Sequence, residues 1–249
     1  MSFRLIFELQ PPREPDLTPV HRQIEIFAPI VDAILVPDNH LGTPALSSVA
    51  IAVEIRRVGL TPIVSLNARD RNLLRLESDL LTLAAYDIHE VLYLYGDNVK
   101  EGRTALTVRE MLAATKSSDM SRGVLAAPGK PLGWRDGADF LLTKLDFGRS
   151  QIGRWKQSLG VQKPLYCGVL ALADVAMAQR ILLNIPDLVL PPGYMEKLSD
   201  DEGYGFKAAI EELTHLHRSG INGAQLVIPA KRRRFAEMLK DWAADRGKA

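Results

Sequence analysis

The chain has one cysteine, Cys167, in 249 residues. A single thiol cannot close an internal disulfide, which points to a reducing, cytoplasmic setting. No apolar run approaches the roughly 20 residues needed to cross a bilayer. Arg4 and Glu8 interrupt the early apolar stretch, so no secretory leader is expected. Excess charge of either sign is missing too: the formal net charge is +1, against bulk binding of nucleic acid or an acidic membrane surface. Metal-ligand spacing is absent. His215 and His217 stand two apart on a helical segment and face different ways, while His21, His40 and His89 are scattered, so no metal site is expected. No low-complexity stretch or linker divides the chain, which reads as one domain over 1–249. No G-x-G-x-x-G follows the first apolar run, which removes the main support for an open dinucleotide-binding sheet.

What is present is an alternation. Short apolar runs predict strands at Leu5–Leu9, Ala33–Pro37, Pro62–Leu66, Val91–Tyr95, Gly123–Ala127, Phe140–Leu145, Leu165–Leu170 and Ala224–Ile228. Most are nearly continuous in apolar residues, as parallel strands covered on both faces require. Amphipathic segments between them predict helices at Thr18–Ile30, Ala45–Val58, Asn72–Tyr86, Ala105–Thr115, Ser150–Leu159, Val175–Leu183, Gly205–Arg218 and Lys231–Asp245. Eight such units in 249 residues predict a (β/α)8 TIM barrel. One unit is abnormal: Pro128 to Asp139 holds two prolines and three glycines, which oppose a regular helix. Helix five is therefore expected to be missing or reduced to a turn, with Trp134, another subunit or nothing covering the thin wall.

In such a barrel the chemistry sits at the C-terminal ends of the strands. Glu8 and Gln10 follow strand one, where Pro11 and Pro12 stop the ladder. A carboxylate fixed at the end of a buried strand is costly unless paired or used; the alternative is a solvated Glu on an edge strand. Asp38, Asn39 and His40 follow strand two, Asn67 to Asn72 strand three, and Gly96, Asp97 and Asn98 strand four. Thr143, Lys144 and Asp146 come from strand six and Lys231 to Arg234 from strand eight. Arg232-Arg233-Arg234 opens a helix, and a solvated face accounts for it as well as a ligand does.

These residues resemble the methylenetetrahydrofolate reductase family, in order and over nearly the whole chain. Phe7-Glu8-Leu9-Gln10-Pro11-Pro12 resembles its F-E-x-x-P-P opening. Val31-Asp32-Ala33-Ile34 leads to Pro37-Asp38-Asn39 as in one subgroup, whose R-D-R-N motif is similar to Arg69-Asp70-Arg71-Asn72. Val91 to Asp97 resembles its strand ending in G-D, and Gly137-Ala138-Asp139-Phe140 with Thr143 its G-A-D-F-x-x-T-Q.

The resemblance implies interconversion of 5,10-methylenetetrahydrofolate and 5-methyltetrahydrofolate, with hydride from FAD recharged by NADH or NADPH. Glu8 takes the place of the general acid, whose raised pKa suits protonation of a departing ring nitrogen. Asp97 takes the place of the aspartate beside flavin and pterin; its alternative is a turn residue after Gly96. Asn39, Asn67, Arg69, Asp70, Asn72 and Gly96 are placed along the flavin, the alternative for Arg69 to Asn72 being a salt-bridged helix start, and Gln10, Asp97, Lys144 and Lys231 along the folate. The pattern also departs from the family. Lys144 stands where the family has a pterin-binding glutamine, Val175 where it has an aromatic, and Ala126 to Pro131 replace its Y-P-E-x-H-P. These departures support an alternative, a flavin-free folate- or pterin-binding homologue or accessory subunit. A non-catalytic barrel whose thin wall docks a partner or a second copy is a third.

Overall fold

A computed structural model describes residues 3–97, 106–145, 149–160, 162–185 and 188–246. Eight strands close into one parallel barrel, each pairing with the next and the last with the first. They are β1 (Arg4–Glu8), β2 (Ala33–Val36), β3 (Thr61–Asn67), β4 (Glu90–Leu94), β5 (Ser121–Ala126), β6 (Phe140–Leu145), β7 (Leu165–Leu170) and β8 (Gly223–Val227). The helices are α1 (Thr18–Phe27), α2 (Ser48–Arg57), α3 (Leu73–Ala85), α4 (Val108–Ala114), α5 (Arg149–Leu159), α6 (Val175–Asn184), α7 (Tyr194–Asp200), α8 (Tyr204–Arg218) and α9 (Arg232–Arg246). Ala105, Asn98 and Asp146 lie outside the described residues.

Period-two alternation sorts each strand between two cores. Leu5 and Phe7 of β1, Val64 and Leu66 of β3 and Ala224 and Leu226 of β8 face outward into the helix layer. Ile6, Leu35, Ile63, Leu92, Phe140, Leu142 and Tyr166 fill the barrel interior. The inward face of β1 therefore reads Arg4, Ile6, Glu8. At the bottom Arg4 donates to both oxygens of Glu90, each at 2.7 Å, and its guanidinium lies 5.9 Å from the Tyr166 ring centre. At the top the same face ends in Glu8.

Between β5 and β6 stands only a short 3-10 turn, Gly133–Gly137, as the Pro- and Gly-rich segment dictates. Trp134 packs on the outer core there, and the Arg135 guanidinium sits 4.5 Å over its ring. Inside the wall, Phe140 occupies the space that a side chain at Gly123 would need. Overpacking of this kind costs about 1–3 kcal/mol. Gly123→Ala is expected to lower the melting temperature by roughly 5 °C or more, and adding Phe140→Leu should restore most of the loss in a thermal melt.

The β7–β8 connection differs from the expectation of two helices. A third, α7, follows the turn at Pro191-Pro192-Gly193, with Gly193 left-handed at φ 72°. The barrel-wall helix of this unit is α8, which packs so closely that a side chain at Gly205 would meet the Leu172 carbonyl. The α6–α7 pair is an insertion, joined to the end of β7 by a separate core including Leu170, Leu172, Ala178, Leu188, Tyr194 and Leu198.

Candidate functional site at the barrel mouth

A cavity of about 460 Å³ opens at the C-terminal mouth. Glu8, Gln10 and Arg13 line it from β1 and the loop after it, and His40 and Leu41 from the β2–α2 loop. Leu145, Leu170 and Val227 come from three strand ends, and Met177, Arg180, Ile181 and Asn184 from α6. The volume is ordinary for a small-molecule site.

Glu8 keeps part of its surface open to this cavity but is otherwise enclosed. Gln225 of β8, itself 8% exposed, donates its side-chain N–H to Glu8 Oε2. Burial pushes the Glu8 pKa up from 4.5 to about 7; the Gln225 bond works against that rise and the charge of Asp97 adds to it. Glu8 thus exchanges a proton near neutrality, which an acid–base catalyst needs. Sequence reasoning did not single out Gln225. The available signal was one amide in the otherwise apolar run Ala224 to Ile228.

Asp97 closes the loop beside the cavity. Its Oδ2 accepts the Leu41 N–H at 2.7 Å and lies 3.5 Å from His40 Nδ1. That loop is bent through left-handed backbone at Asn39, Leu41 and Gly42, and Leu41 is an unusual residue to hold φ 57° without cost. Asp97 therefore restrains a strained loop whose His40 and Leu41 line the cavity.

The other residues placed along the flavin form one network. Arg69 grips Asp70 bidentately at 2.7 and 2.6 Å and donates to the Asp97 carbonyl, holding the Asp70 carboxyl down at about 2. Asn39 bonds Asp70 at 3.2 Å and accepts the Ala45 N–H at 3.2 Å. Asn67, fully buried, donates to Asp38 at 2.7 Å and accepts the Asp70 N–H at 3.0 Å. Gly96 at φ 90° lies against Arg69 and Asn67, 3.0 and 3.4 Å from where its Cβ would be. Asn72 is the N-cap of α3, accepting the Arg75 N–H at 2.8 Å. A recess of about 310 Å³ lies beside Asn39, Arg69 and Asp70. These donors are engaged with one another, and the arrangement as it stands does not fit a flavin pyrophosphate cradle.

Two further residues fall away from the cavity wall. The β6–β7 register shifts between Leu142 and Leu145, so Leu145 takes the inward place and Lys144 is exposed. Lys231 pairs with Glu202 at 3.1 Å. It borders a separate recess of about 570 Å³ with Arg22, Arg232, Arg233 and Arg234. Arg232 connects that recess to the mouth by donating to the Gln10 side chain. Val175 packs into the α6–α7 core.

No family model and no curated protein matches this chain. Among solved structures it is similar to an uncharacterized protein from Clostridium thermocellum that binds two copies of 5-methyl-5,6,7,8-tetrahydrofolic acid. That match has a TM-score of 0.72 at 11% identity and covers 99% of this chain and 95% of the other. It is also similar to the 7,8-dihydropteroate synthase of Vibrio fischeri ES114, with a TM-score of 0.58 at 10% identity, covering 99% and 94%. Likenesses at such identities show the shared barrel fold.

Proposed function

We propose that this barrel binds a reduced folate at its mouth and that Glu8 exchanges a proton with the pterin. The carrying observation is a carboxyl at the cavity floor, held by Gln225 and titrating at about 7. The ordered likeness to methylenetetrahydrofolate reductase supports this, as does a similar barrel that binds 5-methyltetrahydrofolic acid. The matching activity interconverts 5,10-methylenetetrahydrofolate and 5-methyltetrahydrofolate. Opening the five-membered ring requires a proton on the departing nitrogen, and a carboxyl half protonated near pH 7 can deliver it. Asp97 Oδ2 would release the Leu41 N–H and accept instead from the pterin amino edge. Oxidoreductase activity also needs a hydride source, proposed as FAD recharged by NADH or NADPH; no hydride step is derived from these residues, because the Arg69–Asp70–Asn67 network is closed on itself.

That closed network favours a second reading: folate is bound without flavin, by a homologue or accessory subunit. Titration calorimetry with 5-methyltetrahydrofolate is expected to give a micromolar dissociation constant; absence of heat at millimolar ligand would sink the folate reading. The visible spectrum after incubation with FAD separates the two versions. A retained yellow chromophore supports the oxidoreductase, and a colourless protein that still binds folate supports the flavin-free one.

A further inference from the structure

We infer that Arg180, carried over the barrel mouth by the α6–α7 insertion, recognises a carboxylate on the end of the ligand remote from Glu8, with Arg13 as a second cation. This rests on the folate reading and assigns the part of that ligand the insertion reads.

Three observations carry it. The first is position. Arg180 and Arg13 line the same cavity as Glu8, from α6 and from the loop after β1. The second is pairing. Arg4, Arg69, Arg71 and Arg122 each meet a carboxylate. Among the described residues neither Arg13 nor Arg180 does, and the Arg180 guanidinium donates to the Met177 sulfur, at 3.5 Å. The third is the wall. Met177 and Ile181 present apolar surface on the α6 face that carries Arg180, since residues three and four apart share a helix face. The cavity thus offers an acid at its floor, an apolar wall and unpaired cations. That order suits a ligand with a polar ring, an apolar middle and an anionic end. The fork of an arginine matches a carboxylate bidentately, and a ligand filling the apolar slot excludes water and strengthens the pair.

The test compares 5-methyltetrahydrofolate with its diamide, in which both glutamate carboxylates are neutralised. Calorimetry on the full chain measures both. Arg180→Ala is expected to weaken the folate by roughly tenfold or more and the diamide by less than about twofold, with Arg180→Lys in between because it keeps the charge and loses the fork. Equal weakening of both ligands, or of neither, overturns the assignment of Arg180. So does a wild-type protein that binds the diamide as tightly as the folate. A wild-type protein that binds neither overturns the folate reading itself. Arg180 is exposed, so its substitution leaves the fold intact, and circular dichroism confirms that for each variant.

Discussion

In the proposed reaction, Glu8→Gln is expected to lower turnover between methylene- and methyltetrahydrofolate by roughly 10²–10⁴-fold while changing the affinity for 5-methyltetrahydrofolate only a few-fold. The amide has the size of the acid and can still pair with Gln225, but it has no proton to give. Steady-state rates beside calorimetric affinity make the comparison, and unchanged turnover would remove Glu8 from the chemistry. For the wild type, the rate of methylene reduction should fall as pH rises through about 7, where Glu8 loses its proton. The reverse direction, which needs the carboxylate, should rise over the same range.

The same residue predicts an effect on stability of opposite sense. Folded Glu8 holds its proton up to about 7, whereas the usual value is 4.5. Between those values the native state binds more protons than the unfolded one, so stability falls as pH rises, and the loss is complete above about 7. The span corresponds to at most about 3 kcal/mol, reduced by whatever water reaches the open side of the carboxyl. Glu8→Gln removes this cost. The variant is expected to melt several degrees above the wild type at pH 8 and at nearly the same temperature at pH 4. A functional group held at the expense of stability has this signature; a solvated surface Glu would show no pH-dependent gap.

Most of the barrel was legible because both faces of its strands are buried. Short, mostly apolar runs marked all eight, and β6 and β7 begin and end where the sequence places them. The loss of helix five was equally legible, since proline and glycine act locally. What escaped depends on partners distant in sequence. Gln225 meets Glu8 because Ile6 pairs with Gln225 across the closing seam of the barrel, a register that neither strand declares alone. Lys144 alternates with Phe140 and Leu142, and nothing in Phe140–Leu145 announces the shift that gives its place to Leu145. The amphipathic pattern of α6 is that of any wall helix; only the following α7, seven residues long and without a side-chain cap, turns it into a cover for the mouth. The R-D-R-N stretch was legible as important, but its four residues divide between different tasks.

Arg71→Met is expected to destabilise the protein by about 3–5 kcal/mol, the largest loss from one substitution near the mouth. Arg71 is buried between two buried carboxylates: its Nη1 donates to Asp38 and its Nε to Asp79 at 3.0 Å. The side chains of Asp38 and Asp79 are 8% and 4% exposed. Removing the cation leaves two enclosed negative charges, with Arg75 on Asp79 at 2.9 Å as the remaining partner. Asp38 would lose its counter-ion while still accepting from Asn67 N–H and Nδ2 at 2.9 and 2.7 Å, so the disturbance should pass to the loop that carries Asn39 and Leu41. Arg71→Lys should recover only part of the loss, because one ammonium lacks the fork that spans both partners. Arg69→Met, two residues away, breaks a pair whose Asp70 side chain is 36% exposed, and is expected to cost about 1 kcal/mol or less. Denaturant melts of the two variants set the motif's roles apart. A large loss at Arg71 with a small one at Arg69 makes Arg71 the anchor of the mouth and leaves Arg69 free to rearrange toward a ligand. Equal losses would make the entire motif structural and leave no ligand role to propose for Arg69 and Asp70.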